Sequence, residues 1–224
     1  MIIEWNEIES SIIEFYKEIQ LEISPKELKY LKNAFSFTEG LWEKQFEKID
    51  KIKYVMISEA PLFGESENYF YNPSTKFSSF FHFTNIEAFN ISYTKKDYNN
   101  KEFVLDILNE KGFLILDLFP FALNKNDTQI NYNSVKNKEY QKLFQIVVQT
   151  YLNKKLTLIK QKCINETIFV YRYKRLKEKL SGILEIELAE FSLIKKDENL
   201  DTLNNNMSLD KEKLRKILIN TNVR

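Results

Sequence analysis

The 224 residues, 43% hydrophobic and 29% charged, fit one soluble globular domain with a sizeable core and argue against two full domains. A formal net charge of +1 argues against a surface built for bulk polyanion binding. A single cysteine, Cys163, excludes an internal disulfide and reads as a small buried hydrophobe; no CxxC or Cys/His cluster points to a metal, and no cofactor is expected.

The N-terminus, MIIEWNEIESS, carries acids where a signal peptide has a basic flank, and no apolar run reaches the length of a membrane span. The expectation is a cytoplasmic protein with no membrane partner. Residues 1–50 form an N-terminal helical part of a single domain covering 1–224. Within it, Ile3, Ile8, Ile12, Phe15 and Ile19 recur at helical spacing over residues 2–20. Ser24-Pro25-Lys26-Glu27 has the form of a capping box and starts a second helix running towards Phe35. Thr38-Glu39 is expected to cap a third, carrying Leu41, Trp42, Phe46 and Ile49 into the first strand.

Tyr54-Val-Met-Ile57 is a short apolar run suited to a strand buried on both faces of a parallel sheet, ending near Ser58. Glu59-Ala60-Pro61-Leu62-Phe63-Gly64 then places a carboxylate, a rigid proline and a permissive glycine beyond the carboxyl end of that strand. Open α/β sheets bind ligands there. Residues 64–100 show few helix or strand periods, and long structureless segments inside compact domains are commonly functional. His82, the only histidine, sits among Phe80, Phe81 and Phe83 and reads as a packing residue or, less commonly for such a setting, an acid–base group.

Residues 101–110 predict a short helix and Phe113 to Leu118 a second core strand interrupted by Asp117, a carboxylate that must be paired, used, or set at the strand end as a loop cap. Tyr140, Leu143, Phe144, Val147, Val148, Tyr151 and Leu152 predict a long helix from residue 137, looser beyond Asn153. Residues 167–171 predict a third strand and 183–191 a fourth; a terminal helix follows over 211–219. Four strands separated by helices predict a three-layer α/β/α sandwich with a mainly parallel sheet.

Charge is unevenly placed. Residues 1–22 hold six Glu against one Lys, and residues 151–180 hold nine Lys or Arg against Glu166 and Glu178, a local +7. Arg172, Lys174 and Arg175 follow the third strand, so a phosphate-facing edge is one reading and a solvated helix face the other.

Ser58-Glu59-Ala60-Pro61 resembles the Gly-Glu-Ala-Pro turn that is motif A of the uracil-DNA glycosylase superfamily, and residues 112–121 resemble that family's second strand. The likeness covers roughly residues 53–191 as a strand-and-loop layout, with about a dozen motif residues. It implies a glycosylase-like fold and a DNA base glycosylase that hydrolyses the N-glycosidic bond of a deaminated base such as uracil. Glu59 and Asp117 would be catalytic, and Phe63, Phe70, Tyr71 and Asn72 would hold the extruded base. Arg172, Lys174, Arg175, Asn206 and Ser208 would meet nucleic acid. The motif-B loop of the family carries a histidine; here Asn206-Met207-Ser208 stands in its approximate place. The alternative is a non-hydrolysing relative that binds nucleic acid, a nucleotide or a protein.

Overall fold

The computed structural model describes residues 3–77, 81, 83–92, 94, 96, 97, 100–203 and 209–220. Its centre is a parallel sheet of three strands, β1 (Ile52–Ser58), β2 (Phe113–Asp117) and β3 (Cys163–Tyr171), in the order β2-β1-β3. β1 lies in the middle, aligning Ile57 with Leu116 on one side and Tyr171 on the other. That position explains its apolar run: only Lys53 along β1 is exposed. From β1 the chain goes outward to β2 and then back across to β3, so the strand order reverses between β1 and β3. Their carboxyl ends form the crevice where such sheets bind ligands.

Helices α1 (Trp5–Glu18), α2 (Pro25–Lys48), α3 (Lys101–Glu110), α4 (Asn137–Val147), α5 (Asn153–Lys160), α6 (Lys174–Leu180), α7 (Leu184–Glu190) and α8 (Lys211–Asn220) flank the sheet. A π-helical turn, Val148–Leu152, joins α4 to α5, and a 3-10 helix spans Phe83–Phe89. The N-terminal helices share the core of the sheet. Trp5 meets Phe121 edge-on at 6.3 Å, and the Glu27 carboxylate accepts from the Tyr16 hydroxyl and from the Gln129 backbone N–H at 2.9 Å. Among the described residues, no helix is long and apolar enough to cross a membrane.

The outer edge of β2 is closed by side chains. The Ile115 N–H donates to the Tyr71 hydroxyl at 2.7 Å, and the Trp42 indole N–H donates to the Ile115 carbonyl at 2.8 Å. Both hydrogen-bonding groups of an edge residue are thereby satisfied without another strand. Gly112 makes the turn from α3 into β2. It has φ +71°, and its carbonyl accepts from both Lys53 and Tyr54 at 2.9 and 3.0 Å.

Two sequence expectations are corrected. Among the described residues the sheet has three strands, because the stretch 183–191 read as a strand contains α7, Leu184–Glu190; Leu184 and Leu188, one helical turn apart, are buried while Ile186 is 58% exposed. The Leu-Glu-Ile-Glu-Leu alternation imitates a strand, but Glu, Leu and Ala are strong helix formers. Beside the end of β3 there is instead a single parallel bridge. Tyr171 donates its N–H to Asp201 at 2.9 Å and accepts from Leu203 at 2.8 Å. The second correction concerns Thr38-Glu39, which lies inside one continuous α2. The Thr38 hydroxyl donates to the Ala34 carbonyl one turn back at 2.8 Å, and Glu39 turns into the core.

Candidate functional site

β2 ends at Asp117, and the carboxylate lies at the carboxyl edge of the sheet, only 4% exposed. The Tyr69 hydroxyl donates to Asp117 Oδ2 at 3.0 Å. Across the crevice the Arg172 guanidinium, at the end of β3, donates to Ser58 Oγ at 3.0 Å. Burial pushes the Asp117 carboxyl above the usual range, opposed by the Tyr69 bond, the Arg172 charge and the Ser58 hydroxyl. These groups border a cavity of ≈ 20 Å³ lined by Ala60, Leu62, Tyr69, Phe70, Asp117 and Arg172. That volume has room for about one water. It combines a carboxyl, a guanidinium, a phenol and an aromatic face.

Glu59, one residue past β1, points elsewhere. The Arg175 Nη2 group of α6 donates to both of its oxygens, at 2.8 Å to Oε1 and 2.7 Å to Oε2, and the Tyr140 hydroxyl donates to Oε1 at 2.8 Å. Arg175 Nη1 also donates to Asn133. Lys179 Nζ stands 4.0 Å from the centre of the Tyr140 ring. Glu59 is thus the anion at the centre of a small cationic cluster and does not line the Asp117 cavity.

The remaining sequence candidates divide. Phe70 reaches the cavity with Asp117 and Arg172. Tyr71 is spent closing the β2 edge. Asn72 braces its own loop, donating to the Glu67 carbonyl and accepting from the Ser74 N–H, both at 3.0 Å. Phe63 packs against Tyr30 and Phe37 of α2 at 5.9 and 5.5 Å, away from the cavity lining. Lys174 pairs with Glu178 at 3.2 Å. His82, Asn206 and Ser208 lie outside the described residues.

The +7 run over 151–180 does not form one basic face. Lys154 pairs with Glu7 of α1 at 2.7 Å, and Lys162 donates to the Phe46 and Ile49 carbonyls, closing the end of α2 at 2.7 and 2.6 Å. Lys177 donates to Leu200, and Arg172 is buried. Most of this charge holds the fold together. On α6, Lys174 is exposed, and Arg175, Lys177 and Lys179 are partly exposed.

Sequence reasoning missed a buried ion pair behind the site. Lys155, 0% exposed, meets Glu39 Oε1 at 2.5 Å and lies 3.2 Å from the centre of the Trp42 ring. Its charge also favours ionised Asp117. The signal was present: Lys155 follows Tyr151 and Leu152 on the apolar stripe, and Glu39 lies between Phe35 and Trp42 on another.

Lys101 of α3 was also missed. Its ammonium donates to the Tyr69 carbonyl at 3.2 Å and Thr75 Oγ1 at 3.1 Å, under the Phe70 and Phe77 rings. It pins the loop that presents Tyr69 and Phe70 to the cavity. Burial pushes the Lys101 pKa down from 10.5 to about 8. Between those values the unfolded chain holds more protons than the folded one, so this group's contribution to stability rises with pH across that window. Urea unfolding of the native protein and Lys101→Met at pH 7.0 and 9.5 should therefore show the difference moving in favour of the native chain at the higher pH; a constant difference contradicts the assignment.

Compared with models of known families, with curated proteins and with solved structures, the chain matches none.

Proposed function

We propose that the protein is a uracil-DNA glycosylase-like domain that binds a nucleobase or nucleotide at the carboxyl end of its sheet without hydrolysing it. The observation that carries this choice is the state of Glu59. Arg175 engages both carboxylate oxygens and Tyr140 engages one, so the group assigned to orient water or face a sugar cation is already neutralised. Asp117 offers acceptor oxygens to the polar edge of a base, and Phe70 an aromatic face at the same cavity.

Ligand sites commonly enclose about 300 Å³ or more, against ≈ 20 Å³ here. Base entry therefore requires the Tyr69 and Phe70 segment to withdraw, breaking the Lys101 bonds that hold it. Hydrolysis stands as the second reading, supported by Asp117: a buried carboxyl raised by desolvation at a cavity is the kind of group that active sites use.

One experiment separates the readings. Single-stranded oligonucleotides carrying one uracil or one thymine are titrated against the native protein, Asp117→Asn and Phe70→Leu, with alkaline strand scission followed under single-turnover conditions. The expected result is uracil-selective binding without scission. Asp117→Asn should change that selectivity by about tenfold or more, because it alters the hydrogen-bonding group facing the base. Absence of base preference in the native protein, or a preference untouched by Asp117→Asn, overturns the binding site. Scission by the native protein that Asp117→Asn abolishes establishes hydrolysis.

A further inference from the structure

The geometry points to a phosphate subsite formed by Arg175, Tyr140 and Lys179, which the Glu59 carboxylate occupies in the free protein and a ligand phosphate takes over. It deepens the nucleotide-binding reading and rests on it only for the identity of the molecule carrying the phosphate.

Three features lead to this assignment. First, the donors converge: Arg175 Nη2 and Tyr140 Oη both reach Glu59 Oε1 at 2.8 Å, and the second Arg175 bond reaches Oε2 at 2.7 Å. Arg175 reaches both carboxylate oxygens through Nη2 alone, with Nη1 on Asn133, and offers phosphate oxygens the same charge-assisted hydrogen bonds. Second, Arg175 and Lys179 are one turn apart on α6, a spacing at which like charges repel. A nearby anion relieves that repulsion: the Glu59 charge favours ionised Lys179 against the charge of Arg175, while the Lys179 ammonium itself lies 4.0 Å from the centre of the Tyr140 ring. Third, the exposure is graded. The Arg175 side chain is 41% exposed while Glu59 behind it is 15% exposed, so the cation is open to an incoming anion. A partly exposed ion pair is weak enough to exchange partners.

The position suits a nucleotide. Glu59 directly precedes Ala60, which lines the Asp117 cavity, and Tyr173 senses the charges of Arg172, Glu59, Arg175 and Asp117 together, so the two groups of charges are neighbours at the same end of the sheet. Exchange also detaches Glu59 from its guanidinium partner. The free-state clamp is then a competition between a resident monoanion and a ligand dianion.

Such a competition has an unusual sign. Removing the Glu59 charge should strengthen phosphate binding, whereas loss of a ligand-contacting or structural carboxylate would weaken it or leave it unchanged. The test is calorimetric titration with inorganic phosphate, 2′-deoxyuridine, 2′-deoxyuridine 5′-monophosphate and a 5′-phosphorylated single strand. Glu59→Gln should bind inorganic phosphate about tenfold more tightly than the native protein, and Arg175→Gln about tenfold more weakly. The double variant should lose most of the gain that Glu59→Gln gives. Arg175→Lys, which keeps the charge without the planar guanidinium and its bond to Asn133, should fall between native and Arg175→Gln; this series decides the matter even if Glu59→Gln does not fold. Unchanged or weaker phosphate binding by folded Glu59→Gln, or equal binding by native, Arg175→Lys and Arg175→Gln, overturns the subsite. Inorganic phosphate carries no base, so the subsite stands or falls on that arm. Failure of the base site would instead appear as no binding of deoxyuridine and no gain of its monophosphate over phosphate. A tighter monophosphate than strand assigns a free nucleotide, and the reverse assigns a strand end.

Discussion

Lys155→Ala is expected to destabilise the protein by about 3–5 kcal/mol, because it leaves the Glu39 carboxylate buried without its cation. The lysine is fully buried, its ammonium is held by Glu39 at 2.5 Å, and the Trp42 ring covers it. Burial pushes the Glu39 carboxyl up and the Lys155 ammonium down, each opposed by the charge of the other. The cost measures an abandoned charge, not the worth of the pair. Glu39→Leu combined with Lys155→Met, which fills a similar volume with apolar atoms, should return to within about 1–2 kcal/mol of native. Equilibrium urea unfolding of the three variants checks both statements. A loss below about 1 kcal/mol for Lys155→Ala would mean that Glu39 finds water or another donor.

The second large effect belongs to Gly112→Ala. The residue has φ +71°, and an added Cβ would lie 2.3 Å from the Lys51 carbonyl oxygen and 3.0 Å from the Lys53 nitrogen. Both neighbours are backbone at the entrance to β1, so neither can swing aside as a side chain would. Left-handed backbone costs an L-residue about 1–2 kcal/mol, and the overlap adds about 1–3. The expected loss is therefore about 2–5 kcal/mol. Gly182→Ala supplies the control: Gly182 has φ +82° with nothing within 4 Å of the added atom, so only the backbone cost applies. Equal losses at the two positions would show that the turn before β2 yields without penalty.

The core of the sheet was legible because its signal is local. The apolar runs of β1 and β2 marked strands, and their lengths placed Glu59 and Asp117 at the carboxyl edge where the structure has them. Helix α3 was legible over its full span, residues 101–110. The fourth strand was misread because a Leu-Glu-Ile-Glu-Leu alternation has period two while Leu184 and Leu188 also satisfy a helical turn. What decides there is tertiary: the bridge at Thr202 already adjoins the end of β3.

The site was legible in position but not in state. Phe70 and Asp117 do meet at one cavity. That Glu59 is clamped depends on Tyr140 and Arg175, 81 and 116 residues away in sequence, and no local pattern announces such a pairing. The same reason hides the fate of the basic run. A count of charges gives +7, but Lys154, Lys155 and Lys162 find distant partners that only the folded chain brings near. The glycosylase resemblance makes Tyr71 and Asn72 base contacts, while their hydrogen bonds in the structure serve the backbone.

The closure of the β2 edge by Tyr71 and Trp42 has a consequence for the newly made chain. Phe113-Leu-Ile-Leu is an apolar, β-prone stretch continued by Leu118-Phe119, with Asp117 as its one charge, which is the composition of a segment that pairs with copies of itself. In the folded protein its outer amide and carbonyl at Ile115 are stoppered by two side chains delivered from α2 and from the 69–71 loop. Before those elements dock, the same edge is an open template for other chains. Solubility during synthesis and refolding is therefore governed by how quickly α2 and that loop arrive. Tyr71→Phe, which preserves the ring but removes the oxygen that accepts the Ile115 N–H, exposes this vulnerability.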